Sequence, residues 1–186
     1  MKISLPENWS EVKVWQFQEI AELSEDEYRD NTVIAILGEV ENLDNITVES
    51  RLACLNAIKW AFTPPDEKTY KRQVIVNGTE FYLRSYRELK IGERIDLREY
   101  TKNAVKNLHK ICAILYKAEK EVKDAEIIFQ DAMVGDVYGA LVFFWNIANR
   151  STEITTTSLM AEMKRLKEKQ KRKATEGIVG TYLFIL

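Results

Sequence analysis

The chain has 186 residues, 46% of them hydrophobic and 10% aromatic, enough for one domain with a sizeable core and too apolar for a disordered segment. A formal charge of −2 by itself points to neither a nucleic-acid binder nor a membrane-surface protein. Cys54 and Cys112 each sit in an apolar stretch, which suits buried thiols in a reducing compartment better than a disulfide framework.

The opening "MKISLPENWSEVKV" has neither the apolar region nor the small-residue cleavage site of a secretory signal, and no stretch approaches the ~18 uncharged apolar residues of a membrane span. "LPENWSEV" reads as an extended lead-in, in which Trp9 either folds back or docks on a neighbour. "VKVWQFQEIAEL" then places Val14, Trp15, Phe17, Ile20 and Leu23 at helical spacing. Ser24-Glu25-Asp26-Glu27 is a capping box opening a second helix with Val33, Ile34, Ile36, Leu37 and Val40, weakened by Gly38. The two helices are expected to pack as a hairpin. Thr47 starts a third segment with the apolar face Leu52, Leu55, Ile58, Trp60, Ala61 and Phe62, and Pro64-Pro65 stops it.

There the period changes. "RQVIVNGTEFYLRSY" sets Asn77-Gly78 between two β-rich runs, which predicts a hairpin over about 71–84, because both central residues of a type I′ turn need positive φ. "LKIGERIDLREY" reads as a turn and helix start, followed by a central amphipathic helix from about Tyr100 to Lys117. "AEKEVKDA" is a charged connector. After "EIIFQDAM" and a break at Gly135, Asp136 is the expected N-cap of "DVYGALVFFWNIAN", apolar nearly all round and therefore buried. Beyond the linker "RSTEITTTS", Leu159 to about Thr175 reads as a helix with little apolar face. The expected fold is mainly α (α+β): a helical bundle with one β-hairpin over 1–150, then over 151–186 a linker, an extended basic helix and a strand-like tail.

Few residues invite a catalytic reading, and no enzyme is predicted. His109 is the single histidine and lies three residues before Cys112 in the same helix, but two ligands leave a zinc site unfilled. Carboxylates such as Glu25-Asp26-Glu27, Asp131 and Asp136 are explained by capping and the helix dipole. The glycines form no phosphate-binding motif, and Gly135-x-x-x-Gly139 is a close-packing spacing. No cofactor or metal is expected. The aromatic residues read as core, with Trp9 the exception and a candidate N-terminal contact.

Charge is polarised toward the far end. Residues 164–173 carry Lys164, Arg165, Lys167, Lys169, Lys171, Arg172 and Lys173 against Glu168 alone, a local +6 that leaves −8 elsewhere. This stretch is a solvated helix face, a partner-docking arm or a nucleic-acid contact. The apolar tail follows, with Ile178, Val179, Tyr182, Leu183, Phe184, Ile185 and Leu186. It is expected either to add a strand to another chain's sheet edge or to pack on its own hairpin.

Residues 81–117, "FYLRSYRELKIGERIDLREYTKNAVKNLHKICAILYK", resemble small proteins of the structural gene modules of tailed bacteriophages infecting Bacteroidales, including the crAss-like group. There a hairpin bearing aromatics leads through a G-E-x-I-D-L turn into a helix ending near "LHK-x-x-A-x-LY". The matching residues are Ile91, Gly92, Glu93, Ile95, Asp96 and Leu97, then Leu108, His109, Lys110, Ala113, Leu115 and Tyr116. "ISLPENWSEVKVWQFQEI" and "VGDVYGALVFFWNIA" are similar in kind to the same group. Lys117-Ala118 stands where a proline often follows in those sequences.

The resemblance implies a non-enzymatic virion component, a head-to-tail connector or tail-region ring subunit acting by self-association and contacts of its termini with other phage structural proteins. It would be assembled in the bacterial host cytoplasm and located in the virion, with no membrane partner. The alternatives are a tail-assembly chaperone not retained in the virion, and a nucleic-acid-associated regulatory protein using the basic arm.

Overall fold

The computed structural model describes residues 3–24, 28–41, 43–120 and 122–147. Among these residues the chain forms seven α-helices and a three-stranded antiparallel sheet. Two compact units divide the chain, Met1–Phe144 and Trp145–Leu186, and all these elements begin in the first. The capping residues Glu25–Glu27, the basic arm and the apolar tail lie outside the described residues.

The helices α1 (Val14–Glu22) and α2 (Arg29–Leu37) pack together as the apolar spacing predicts, burying Val14, Phe17 and Ile20 against Val33, Ile34 and Leu37. Gln16 is buried with both amide atoms engaged: its Oε1 accepts from the Lys13 N–H at 2.9 Å and its Nε2 donates to the Ile36 carbonyl at 3.0 Å. Such pairing removes most of the penalty of a buried amide. Gly38 is the C-cap of α2 and leaves room for Ile3, whose Cγ2 would lie 2.6 Å from an added Cβ, while Glu39 at φ 49° turns the chain away so that Val40 falls outside the helix. Thr47 caps α3 (Val48–Ala57), its Oγ1 accepting from the Ser50 N–H at 3.2 Å. The helix ends at Ala57 and the expected single apolar face is covered only in part: Ile58 and Ala61 are buried, whereas Leu52 and Phe62 are exposed.

β1 (Gln73–Val76) and β2 (Thr79–Leu83) form the predicted hairpin, with Asn77 at φ 49° and Gly78 at φ 76° in the turn. Val74, Val76 and Phe81 face the core, where the Phe81 and Phe129 ring centroids are 4.7 Å apart. Sequence periodicity joins residues 100–117 into one helix, and the structure breaks them. α4 (Ile91–Tyr100) is followed by a 3-10 turn at Thr101–Asn103, then α5 (Leu108–Leu115). Asn107 occupies the junction and donates from Nδ2 to the Tyr100 carbonyl at 3.2 Å, using side-chain capacity that competes with continuous helix. Tyr116 and Lys117 leave the helix altogether and pair with Leu83 and Tyr82 as β3 (Tyr116–Lys117).

Past α6 (Ala125–Ile128), a seventh helix, α7, is helical from 134 to the last described residue, 147. It starts before the expected N-cap. An antiparallel bridge pairs Lys13 with Met133, with the Val14 N–H on the Ala132 carbonyl at 2.9 Å and the Val134 N–H on the Val12 carbonyl at 2.8 Å. The bridge fixes where both α1 and α7 begin. Gly135 and Gly139 therefore sit inside α7 and serve close packing: added Cβ atoms would lie 2.9 Å from Ser10 Cα and 2.9 Å from the Thr69 carbonyl carbon. Asp136 lies in the first turn and accepts from Lys71 Nζ at 2.9 Å instead of capping.

Candidate functional site

The groups with catalytic potential are held by structural bonds. His109 is half-buried in α5, with Nδ1 3.0 Å from Gln18 Nε2, an amide that also donates to the Val105 carbonyl at 2.9 Å. Burial, aided by Lys110, holds its pKa below the ordinary histidine value. Burial likewise pushes the Cys112 thiol far up, so it stays protonated and inert. Among the described residues no group of three His, Cys, Asp or Glu side chains is placed to hold a metal ion. None of their helices is long and apolar enough to cross a membrane.

A half-open cleft of about 350 Å³ lies between the β1 end of the hairpin and the 131–133 segment. Each of its charged groups has a partner, one in its own wall and two outside it. Asp131 accepts from Asn77 Nδ2 at 2.9 Å, Asp136 from Lys71, and Lys13 pairs with Glu39 at 3.4 Å. Trp9 takes the fold-back placement of the two open to it. Its ring stacks edge-on against Phe17 at 5.2 Å and Trp60 at 5.1 Å, and its Nε1 donates to the Thr63 carbonyl at 2.9 Å.

Residues 84–115 are tied together by one ion pair and its hydrogen bonds. The Arg84 guanidinium forks onto both Glu93 carboxylate oxygens, at 2.8 and 3.0 Å, and also donates to the Ile114 and Glu88 carbonyls. Glu93 in turn accepts from the Lys90 N–H at 2.6 Å, closing the N-terminus of α4. The Arg84 hydrogen bond, with help from that amide, holds the Glu93 carboxyl below the ordinary range. Together with Arg84 N–H on the Leu115 carbonyl at 2.8 Å, this ties hairpin, α4 and α5 into one corner. Leu97, Leu108, Leu115 and Tyr116 of this stretch are buried. Ile95 is not.

Exposed apolar side chains are the part of the surface that sequence periodicity missed. Single ones are ordinary on any protein, while two at i, i+4 on a helix lie side by side and add up to one apolar area. Val48 and Leu52 form such a row on α3, 75% and 52% exposed, and Ile91 and Ile95 form another on α4, 79% and 59% exposed. Ile75 and Tyr82 add apolar surface on the outer face of the sheet, where Tyr82 donates from its hydroxyl to Glu80 at 2.7 Å. In α3 the run from Val48 through Leu52 and Leu55 to Ile58 reads as one ordinary apolar stripe, so its spacing does not mark which part lacks cover.

No protein family, curated protein or solved structure matches the chain.

Proposed function

We propose that this chain is a non-enzymatic structural subunit of a tailed-bacteriophage particle, a connector or tail-region component that assembles with its own copies. The observation that carries the reading is the pair of solvent-facing apolar rows on α3 and α4, set in a body whose polar groups are tied to one another. Burying such rows between copies removes apolar area from water, the main driving force of association. The Arg84–Glu93 corner supports the same reading, since it gives the residues shared with the phage proteins a scaffold role. The basic stretch Lys164–Lys173 and the tail Ile178–Leu186 are, in this reading, arms that reach neighbouring subunits, with positive charge drawn to an acidic body.

Two measurements test it. Mass spectrometry of purified virions is expected to find the chain in the finished particle; finding it only in infected-cell lysate would make it an assembly chaperone. Removing residues 176–186 is expected to reduce both oligomer size and virion incorporation, and unchanged values for both would sink the role of the tail.

A further inference from the structure

We propose that Asn77 is a site of spontaneous deamidation, and that losing its side-chain amide turns the latch between the hairpin tip and Asp131 into a pair of like charges that frees the tip. The inference is independent of the assembly reading above.

The chemistry begins with the residue that follows. Of the chain's asparagines, Asn77 is the one that precedes a glycine. Glycine has no Cβ to crowd its amide nitrogen, so that nitrogen can approach a neighbouring side chain closely. The Gly78 nitrogen gives up its proton to a base in solution and bonds to Asn77 Cγ. The Cγ–Nδ2 bond then breaks, and Nδ2 leaves as ammonia with a proton taken from water. The cyclic imide takes up one water at either carbonyl, giving aspartate or the isomer whose main chain runs through Cβ. The net change is one water in and one ammonia out, with no oxidation or reduction.

The fold leaves these atoms within reach of water. Asn77 and Gly78 are exposed, and no atom lies within 4 Å of where a Gly78 Cβ would stand. The amide is held by its bond to Asp131, Nδ2 donating to Oδ2 at 2.9 Å. That bond is exposed, and its opening lets Cγ swing onto the Gly78 nitrogen.

The same bond makes the product felt. It joins the tip of the hairpin to the segment across the cleft of about 350 Å³, which both residues line. After deamidation an acceptor-only carboxylate faces the Asp131 carboxylate where a donor stood, and like charges at that separation repel. Lys13, the cation lining the cleft, already pairs with Glu39 at 3.4 Å, and Lys71 with Asp136 at 2.9 Å, so both are engaged elsewhere than between the two carboxylates. The isomer goes further, because its extra main-chain carbon does not fit a two-residue turn.

The modification is tested by ageing the full chain in mildly alkaline buffer and mapping its tryptic peptides by mass spectrometry. The peptide spanning 73–84 holds Asn77 as its one asparagine, and it is expected to exchange its amide for a carboxyl before any other asparagine does. An Asn77 that stays an amide, or that converts no faster than the others, overturns the site. The latch is tested separately, by hydrogen exchange of the backbone amides over 74–79 and 131–134. Asn77→Asp reproduces the product while keeping a residue suited to the turn, and is expected to exchange about two- to tenfold faster than the wild type, less so at high salt. Asn77→Gly loses the bond without adding charge, so it should fall between the two. Adding Asp131→Asn to Asn77→Asp sets a donor opposite a carboxylate again and should bring exchange back toward the wild type. If Asn77→Asp exchanges like the wild type, or the double variant is no slower than the single one, the charge-sensitive latch is overturned.

Discussion

α3 and α5 are helices of similar length and mixed composition with opposite fates. α5 spans eight residues and buries Leu108, Ile111, Cys112 and Leu115, with α1, α4 and α6 all packed around it. α3 spans ten, buries none, and leans on α2 and the 3-10 turn that follows it. An apolar stripe states which side of a helix avoids water, but the surrounding topology decides whether this subunit supplies the cover. Where it does not, the stripe becomes surface available to another molecule.

The sharpest way to break this contrast is to truncate one side chain on each helix. Ile111→Ala should cost about 2–5 kcal/mol in urea unfolding, since it opens a cavity among fully buried neighbours. Leu52→Ala should stay within about 0.5 kcal/mol at concentrations where the chain is monomeric. Comparable losses would mean that α3 is packed as tightly as α5.

The Arg84–Glu93 fork anchors α4 to the covered side of the molecule. Glu93→Gln should cost about 1.5–3 kcal/mol, the range for a hydrogen bond to a charged group. Its pH dependence has a fixed sign. The folded carboxyl titrates below its ordinary value of 4.5, so the stabilisation is complete above that pH and is lost as pH falls through the lower folded value. Acid unfolding curves should show this component in the wild type and lack it in Glu93→Gln.

Two glycines repeat the comparison at the smallest scale. Gly139→Ala should destabilise by about 1–3 kcal/mol, because the new methyl meets the Thr69 backbone. Gly92→Ala, with open space around it, should leave the subunit equal or more stable by a few tenths of a kcal/mol up to ~1. In a thermal melt Gly139→Ala should fall clearly below the wild type, whereas Gly92→Ala should match or exceed it.

The features legible in the sequence were those fixed by near neighbours along the chain. Asn77-Gly78 specifies its turn through its own backbone preferences, Thr47 caps the helix it precedes, and Val14, Phe17 and Ile20 mark a face by spacing alone. The end of α5 was not legible, because it follows from Tyr116 pairing with Leu83 across the fold and from Arg84 reaching the Leu115 carbonyl, and the break before it rests on Asn107 reaching back to the Tyr100 carbonyl. The true start of α7 was hidden for the same reason, being set by Val12. The candidate surface suffered the converse error. Leu52 and Phe62 carry a core signature at the right spacing, and the spacing holds no information about a missing neighbour.

The bridge between Lys13 and Met133 also has a consequence in time. The segments that start α1 and α7 must find each other across most of the described chain, so this closure cannot form while the chain is short. During synthesis, at ~5–20 residues per second, α1 waits on the order of ten seconds before Met133 exists, and longer before it clears the ribosome. The nascent α1–α2 pair meanwhile carries an uncovered apolar side, a natural target for a chaperone. The last piece of the body to be made is thus the one that locks the first.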